Sequence, residues 1–167
     1  NGERYLFDQL RSIARQSLPP AELVVCDDNS SDSTPEILER FAETSPFPVR
    51  LVWNAQRLGY VKNFEKAIGL CQGDIIALSD QDDVWYSAKL QRLSEAMESG
   101  MDLVFSDADI VDERLQPLGY RLWETIQFGS REQRRVIDGM AYDVLLHRNV
   151  VTGATMAFRA HLREIVL

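Results

Sequence analysis

Apolar and polar positions along this chain follow two periods, and each switch between them marks an element. Residues 3–16 carry Leu6, Leu10, Ile13 and Ala14 at helical spacing, so a helix is expected there. Beyond the breaker Pro19-Pro20, the run Glu22-Leu23-Val24-Val25-Cys26 reads as a strand buried on both faces. Thr34 with Pro35 behind it opens a second helix through Ile37, Leu38, Phe41 and Ala42, closed by Pro46 and Pro48. There follow a strand at 49–53, a helix bearing Val61, Phe64, Ile68 and Cys71, and a strand at 75–78. A helix at 87–98, with Leu90, Leu93 and Met97 inward, stops at Gly100 and leads to a strand at 101–106. The alternation then lapses: residues 117–136, with Trp123, Phe128 and the basic run 131–135, read as an irregular segment. Residues 139–147 look helical, 152–155 form a turn and 156–158 a short strand.

Strands and helices joined by short connections predict an α/β fold, a mostly parallel sheet with helices on both faces. At 167 residues, 45% of them hydrophobic, residues 1–167 are expected to form a single domain. The first element is a helix, whereas this layout normally opens on a strand. The sequence therefore reads as a fragment lacking its first strand.

A net charge of −8 excludes a general nucleic-acid binder, which needs a basic surface to neutralise phosphates. Cys26 and Cys71 sit in apolar runs without the spacing of a zinc or redox motif, and are expected to stay reduced. No apolar run approaches the roughly 20 residues of a membrane span.

Chemistry concentrates where strands end. The run 75–78 leads into Ser79-Asp80-Gln81-Asp82-Asp83-Val84-Trp85, and 22–26 into Asp27-Asp28-Asn29-Ser30-Ser31-Asp32; Asp107, Asp109 and Asp112 follow 101–106. Ligands of α/β sheets bind beyond the carboxyl ends of the strands. Clustered carboxylates repel unless a cation neutralises them, and Mg²⁺ or Mn²⁺ takes such oxygens while leaving positions for substrate phosphates. An EF-hand calcium loop starting at Asp80 is excluded, because Trp85 and Gln91 stand where Gly and Glu are required.

Four stretches in order resemble the family 2 glycosyltransferases of GT-A fold, across nearly the whole chain. They are Asn1-Gly2-Glu3-Arg4-Tyr5-Leu6; 24–32; Gly59-Tyr60-Val61-Lys62-Asn63-Phe64-Glu65-Lys66-Ala67 with Gly73-Asp74 and 80–85; and 152–159. The third is especially similar to the bacterial rhamnosyltransferase-like branch. The resemblance implies an inverting, metal-dependent hexosyl- or rhamnosyltransferase. It would move a sugar from a dTDP- or UDP-linked donor to a glycan or lipid-linked acceptor in cell-surface polysaccharide synthesis. By the same resemblance Asp28 accepts the ring N–H of uracil or thymine, and Arg57 touches the nucleotide. Asp80 and Asp82 carry the metal and donor contacts, with Asp82 or Asp83 the direct ligand to Mg²⁺ or Mn²⁺. Asp107 or the Gly153 turn faces the donor sugar or the acceptor. The general base falls at or beyond Leu167. A cytoplasmic protein at the inner face of the plasma membrane is implied, any peripheral membrane association being made through regions outside this sequence.

Plainer roles stand beside these. Asp27 reads as a turn cap, and Arg57 and the 131–135 run can be solvated. A receiver domain is disfavoured because no Lys-Pro dipeptide exists, and a sugar-nucleotide pyrophosphorylase by the lack of a Gly-rich phosphate loop. A non-catalytic nucleotide-sugar-binding or scaffolding domain is the alternative to an enzyme.

Overall fold

A computed structural model describes residues 1–166. Helix α1 (Leu6–Ala14) buries Leu6, Leu10 and Ile13, the spacing that predicts it, and residues 3–5 form the turn that starts it. Strand β1 (Leu23–Asp27) leads to α2 (Thr34–Thr44), whose Pro35 lies in the first turn. Leu38 of α2 packs with Leu6 and Leu10, and Val25 and Leu51 close over them. Strand β2 (Val49–Trp53) pairs with β1 in parallel, Leu23 opposite Val49 through Asp27 opposite Trp53.

Helix α3 (Tyr60–Leu70) and strand β3 (Ile75–Ala77) follow, then α4 (Lys89–Glu98) and β4 (Leu103–Phe105). Leu93 and Met97 of α4 form a buried cluster with Ala157, as their spacing requires. The chain divides into two compact units: residues 1–104 with the segment from Ala157 onward, and residues 105–156.

The second unit holds a hairpin, β5 (Asp109–Val111) with β6 (Pro117–Arg121), and helices α5 (Leu122–Thr125), α6 (Ser130–Arg135) and α7 (Ala141–His147). This corrects the reading of 117–136 as irregular. Every residue of β6 is exposed, so it carries no apolar alternation by which a strand is recognised. Asp112 builds the hairpin turn, its Oδ1 accepting the N–H groups of Arg114 (2.8 Å) and Gln116 (2.9 Å). Phe128, Val144 and Val150 form this unit's core, with Trp123 edge-on to Phe128.

Strand β7 (Met156–Arg159) lies between β3 and β4 and runs antiparallel to β3, Ile76 opposite Phe158. The α/β alternation is present, with parallel pairing in β1–β2 and antiparallel pairing where β7 enters. Among the described residues β1 and β3 each keep one edge without a partner strand. Residues of both line an apolar cavity of about 240 Å³ in the first unit.

Cys26 and Cys71 are free and half-buried, and burial pushes both thiols up. Among the described residues no helix is long and apolar enough to cross a membrane.

Candidate functional site

The acidic segment after β3 hangs from α1. Gln9 and Ser12, three apart on α1, and Gln16, two residues past its end, are buried polar residues. The Gln9 side-chain amide donates to Ser79 Oγ (2.9 Å) and to the Asp80 carbonyl (2.8 Å). Ser12 Oγ accepts the Trp85 N–H (2.9 Å). Gln16 donates to the Tyr86 carbonyl (2.8 Å) and accepts the Leu90 N–H (2.9 Å). Sequence reasoning took only the apolar face of this helix. The available signal was uncharged polar residues repeating beside the apolar stripe, in a helix otherwise punctuated by charge.

That scaffold brings Asp80, Asp82 and Asp83 together. Burial pushes the Asp80 carboxyl up, and the charge of Asp82 adds to it. Asp83 is pushed up by burial, then by Asp80 and Asp82. Its Oδ2 is buried without a hydrogen-bond partner. Lys89 lies 4.2 Å above the Trp85 ring; burial lowers its pKa to about 8 against the pull of Asp83 and Asp80. Three carboxylates facing one ammonium leave an excess of negative charge. Among the described residues no group of three or more His, Cys, Asp or Glu is arranged to hold a metal ion. An orphaned buried carboxylate oxygen is nonetheless the donor chemistry a hard cation takes.

At the end of β1, Asp27 closes a turn: its Oδ2 accepts the Ser30 N–H (2.9 Å). Asp28 instead holds the loop before α3. Its Oδ1 accepts the N–H of Leu58 (2.7 Å) and the Asn54 amide (3.0 Å), and its Oδ2 accepts the N–H of Gly59 (2.9 Å). These bonds, led by that from Leu58, keep the carboxyl below its ordinary range, and the charge of Arg57 contributes. The structure thus brings Asp28 and Arg57 to one loop.

The first residues tie this strand end to the acidic segment. Asn1 reaches Ser30 and Ser31, and Glu3 Oε2 accepts the Ser33 N–H (3.0 Å). Gly2 donates to Thr34 Oγ1 (2.7 Å) and lies against Gln81, where an added Cβ would come within 3.1 Å of the Gln81 side chain.

Asp107 and Gly153 belong to the second unit. Asp107 Oδ1 accepts the N–H groups of Ala108 and Trp123 (both 2.9 Å), and Oδ2 pairs with Arg121 Nε (3.2 Å). Asp107, Arg121, Trp123, Glu124 and Gln133 line a cavity of about 640 Å³ in that unit. Gly153 opens a single helical turn, Gly153–Thr155. The expected general base, at or beyond Leu167, lies outside the described residues.

The fold is that of the GT-A glycosyltransferases. The mannosyltransferase PcManGT from Pyrobaculum calidifontis, in complex with GDP-Man and Mn²⁺, matches with a TM-score of 0.66 over 99% of this chain and 43% of its own, at 22% identity. The chain belongs to glycosyl transferase family 2, whose model matches residues 1–161. The dTDP-rhamnosyl transferase RfbG of Shigella flexneri is 33% identical over 113 residues, covering 65% of this chain and 37% of its own. S. aureus TarS in complex with UDP is 25% identical, with a TM-score of 0.58 over 63% of this chain and 32% of its own. The chain spans under half the length of the curated relatives it matches.

Proposed function

We propose that this chain holds the donor site of an inverting, metal-dependent glycosyltransferase that takes its sugar from a nucleotide diphosphate for cell-surface polysaccharide synthesis. The observation that carries the reading is the acidic segment between β3 and α4: a gripped backbone, three carboxylates and the unpartnered Asp83 oxygen. Asp80 and Asp82 would carry the metal and donor contacts, with Asp82 or Asp83 the direct ligand to a divalent ion, Mg²⁺ or Mn²⁺. Diphosphate oxygens and water would complete its coordination, as is usual for a magnesium-type ion held by one or two carboxylates. When bound, the ion supplies Lewis-acid neutralisation of the charge that grows on the leaving diphosphate. Asp28 and Arg57 receive the base and its nucleoside. Asp107, which lines the cavity of the second unit, or the Gly153 turn meets the sugar or the acceptor. UDP and dTDP are the proposed carriers, in keeping with the UDP bound by TarS and the dTDP-rhamnosyl activity in the name of RfbG.

Calorimetric titration of UDP and dTDP, with and without Mn²⁺, tests this on the protein and on Asp82→Ala. Metal-dependent binding that the variant loses is the expected result. Failure of both nucleotides to bind, repeated on the full-length gene product, would sink the reading.

A further inference from the structure

The carboxylate of Asp28 is already largely engaged by the protein. An ionised carboxylate offers about four acceptor directions, two on each oxygen. Oδ1 spends both of its own on the Leu58 N–H and the Asn54 amide; Oδ2 spends one on the Gly59 N–H. One acceptor direction is left, on Oδ2.

Asn54 is fixed in this role from several sides. It is buried, its backbone N–H donates to the Asp27 carbonyl (3.0 Å), and its side-chain oxygen accepts from Lys66 Nζ (2.6 Å). The same amide nitrogen that reaches Asp28 also donates to Asn63 Oδ1 (2.8 Å), and Asn63 donates onward to the Cys26 carbonyl (2.8 Å). An ammonium can only donate and a carboxylate can only accept, so the Asn54 amide has one orientation that suits both neighbours.

We propose that Asn54 determines base specificity: with the Leu58 amide it fills Oδ1 of Asp28, leaving one acceptor suited to a base with a single ring N–H. Uracil and thymine present that edge, one imide N–H between two carbonyls. Guanine presents a ring N–H and an amino N–H side by side, and its paired recognition needs both oxygens of a carboxylate. Adenine and cytosine have no ring N–H there and turn a lone pair toward the acid. The inference rests on the proposed donor reading, in which Asp28 faces the base, and deepens it to uracil and thymine nucleotides in preference to guanine nucleotides.

The test is a calorimetric panel of UDP, dTDP, GDP, ADP and CDP, each with Mn²⁺, on the protein and on Asn54→Ala and Lys66→Met. The protein should bind UDP or dTDP about tenfold more tightly than GDP, the scale of one well-made hydrogen bond. Asn54→Ala should narrow that ratio by about threefold or more, because Oδ1 becomes open to a second donor. Lys66→Met, which frees the Asn54 side chain while keeping it, should narrow the ratio less, and it serves as the reading should Asn54→Ala fail to fold. A purely structural Asn54 would weaken every nucleotide alike and leave the ratio unmoved, which overturns the proposal. GDP binding as tightly as UDP to the unaltered protein overturns it too. Failure of every nucleotide to bind, repeated on the full-length gene product, would remove the donor reading itself, a separate result from a flat ratio.

Discussion

Gln9 on α1 donates its side-chain amide to the backbone carbonyl of Asp80, 2.8 Å away, across 71 residues of sequence. Ser12 on the same helix and Gln16 just past its end bond to Trp85, Tyr86 and Leu90. Apolar packing holds the acidic segment at Trp85, which is buried against Ile13 and Phe47, but carboxylates cannot be packed that way. A helix offering neutral donors and acceptors fixes its backbone without adding charge.

Replacing Gln9 by Leu keeps the volume and removes the donors. The Asp80 carbonyl and the Ser79 hydroxyl lose a buried partner, and such orphaned groups cost about 1–3 kcal/mol. Urea denaturation should register a loss of that size. Mn²⁺-dependent UDP binding should weaken as well, since the carboxylates are no longer held. An unchanged unfolding midpoint would show that the loop does not depend on this bond.

Lys89 is the cation the protein itself supplies to the acidic segment, drawn toward Asp83 and Asp80 although burial disfavours its charge. A divalent ion bound there would enter against an ammonium. Lys89→Met should strengthen binding of Mn²⁺ alone by about fivefold, the size of one partly screened charge repulsion. Manganese titration followed by electron paramagnetic resonance reads this directly, and weaker binding in the variant would contradict it.

The first unit was largely legible from apolar periodicity. Strand β2 falls on residues 49–53 as predicted, and α2 begins at Thr34 with Pro35 in its first turn. Burial on one face leaves a trace in sequence. The exposed strand β6 leaves none, so the hairpin could not be read. Strand ends pointed to Asp28 and to the 80–83 cluster as chemistry, yet not to their supports. That Leu58 and Gly59 spend their amides on Asp28 depends on backbone direction, and no residue type announces it. Asn54, Asn63 and Lys66 carry ordinary polar side chains whose link to Asp28 exists only once β1, β2 and α3 are assembled.

The depressed pKa of Asp28 makes a statement about pH. Its charged form is favoured in the folded protein by the N–H groups that converge on it, chiefly that of Leu58. The folded protein holds that proton less tightly than the unfolded chain, so the stabilisation is present above the unfolded value, near pH 4, and fades as pH falls through the lower folded value. An Asp28→Asn variant lacks the charge at every pH. The difference in urea midpoint between protein and variant should be full at pH 6 and close progressively below about pH 4. A difference that stays constant down to pH 2.5 would mean that the Asp28 charge contributes nothing.

Gly59 stands at the entrance to α3 with φ 85° and ψ 161°, a conformation essentially restricted to glycine. Its N–H reaches Asp28 from that position, so loop geometry and carboxylate orientation share one backbone requirement. A Cβ added at Gly59 would meet nothing within 4 Å. Steric crowding is therefore not the reason for glycine, and any cost of Gly59→Ala is conformational, about 1–3 kcal/mol. Gly69, in the same helix, supplies the control. It too has open space around the missing Cβ, but its backbone is not left-handed. Gly69→Ala should be neutral or stabilise by up to about 1 kcal/mol, as expected when alanine replaces glycine in a helix. Thermal and urea unfolding of the two variants side by side should give opposite signs. If Gly59→Ala is as benign as Gly69→Ala, the loop can tilt to relieve φ, and the Gly59 amide is not needed to hold Asp28. In that case uridine affinity should survive the substitution. If the geometry is required as observed, stability and UDP binding should fall together.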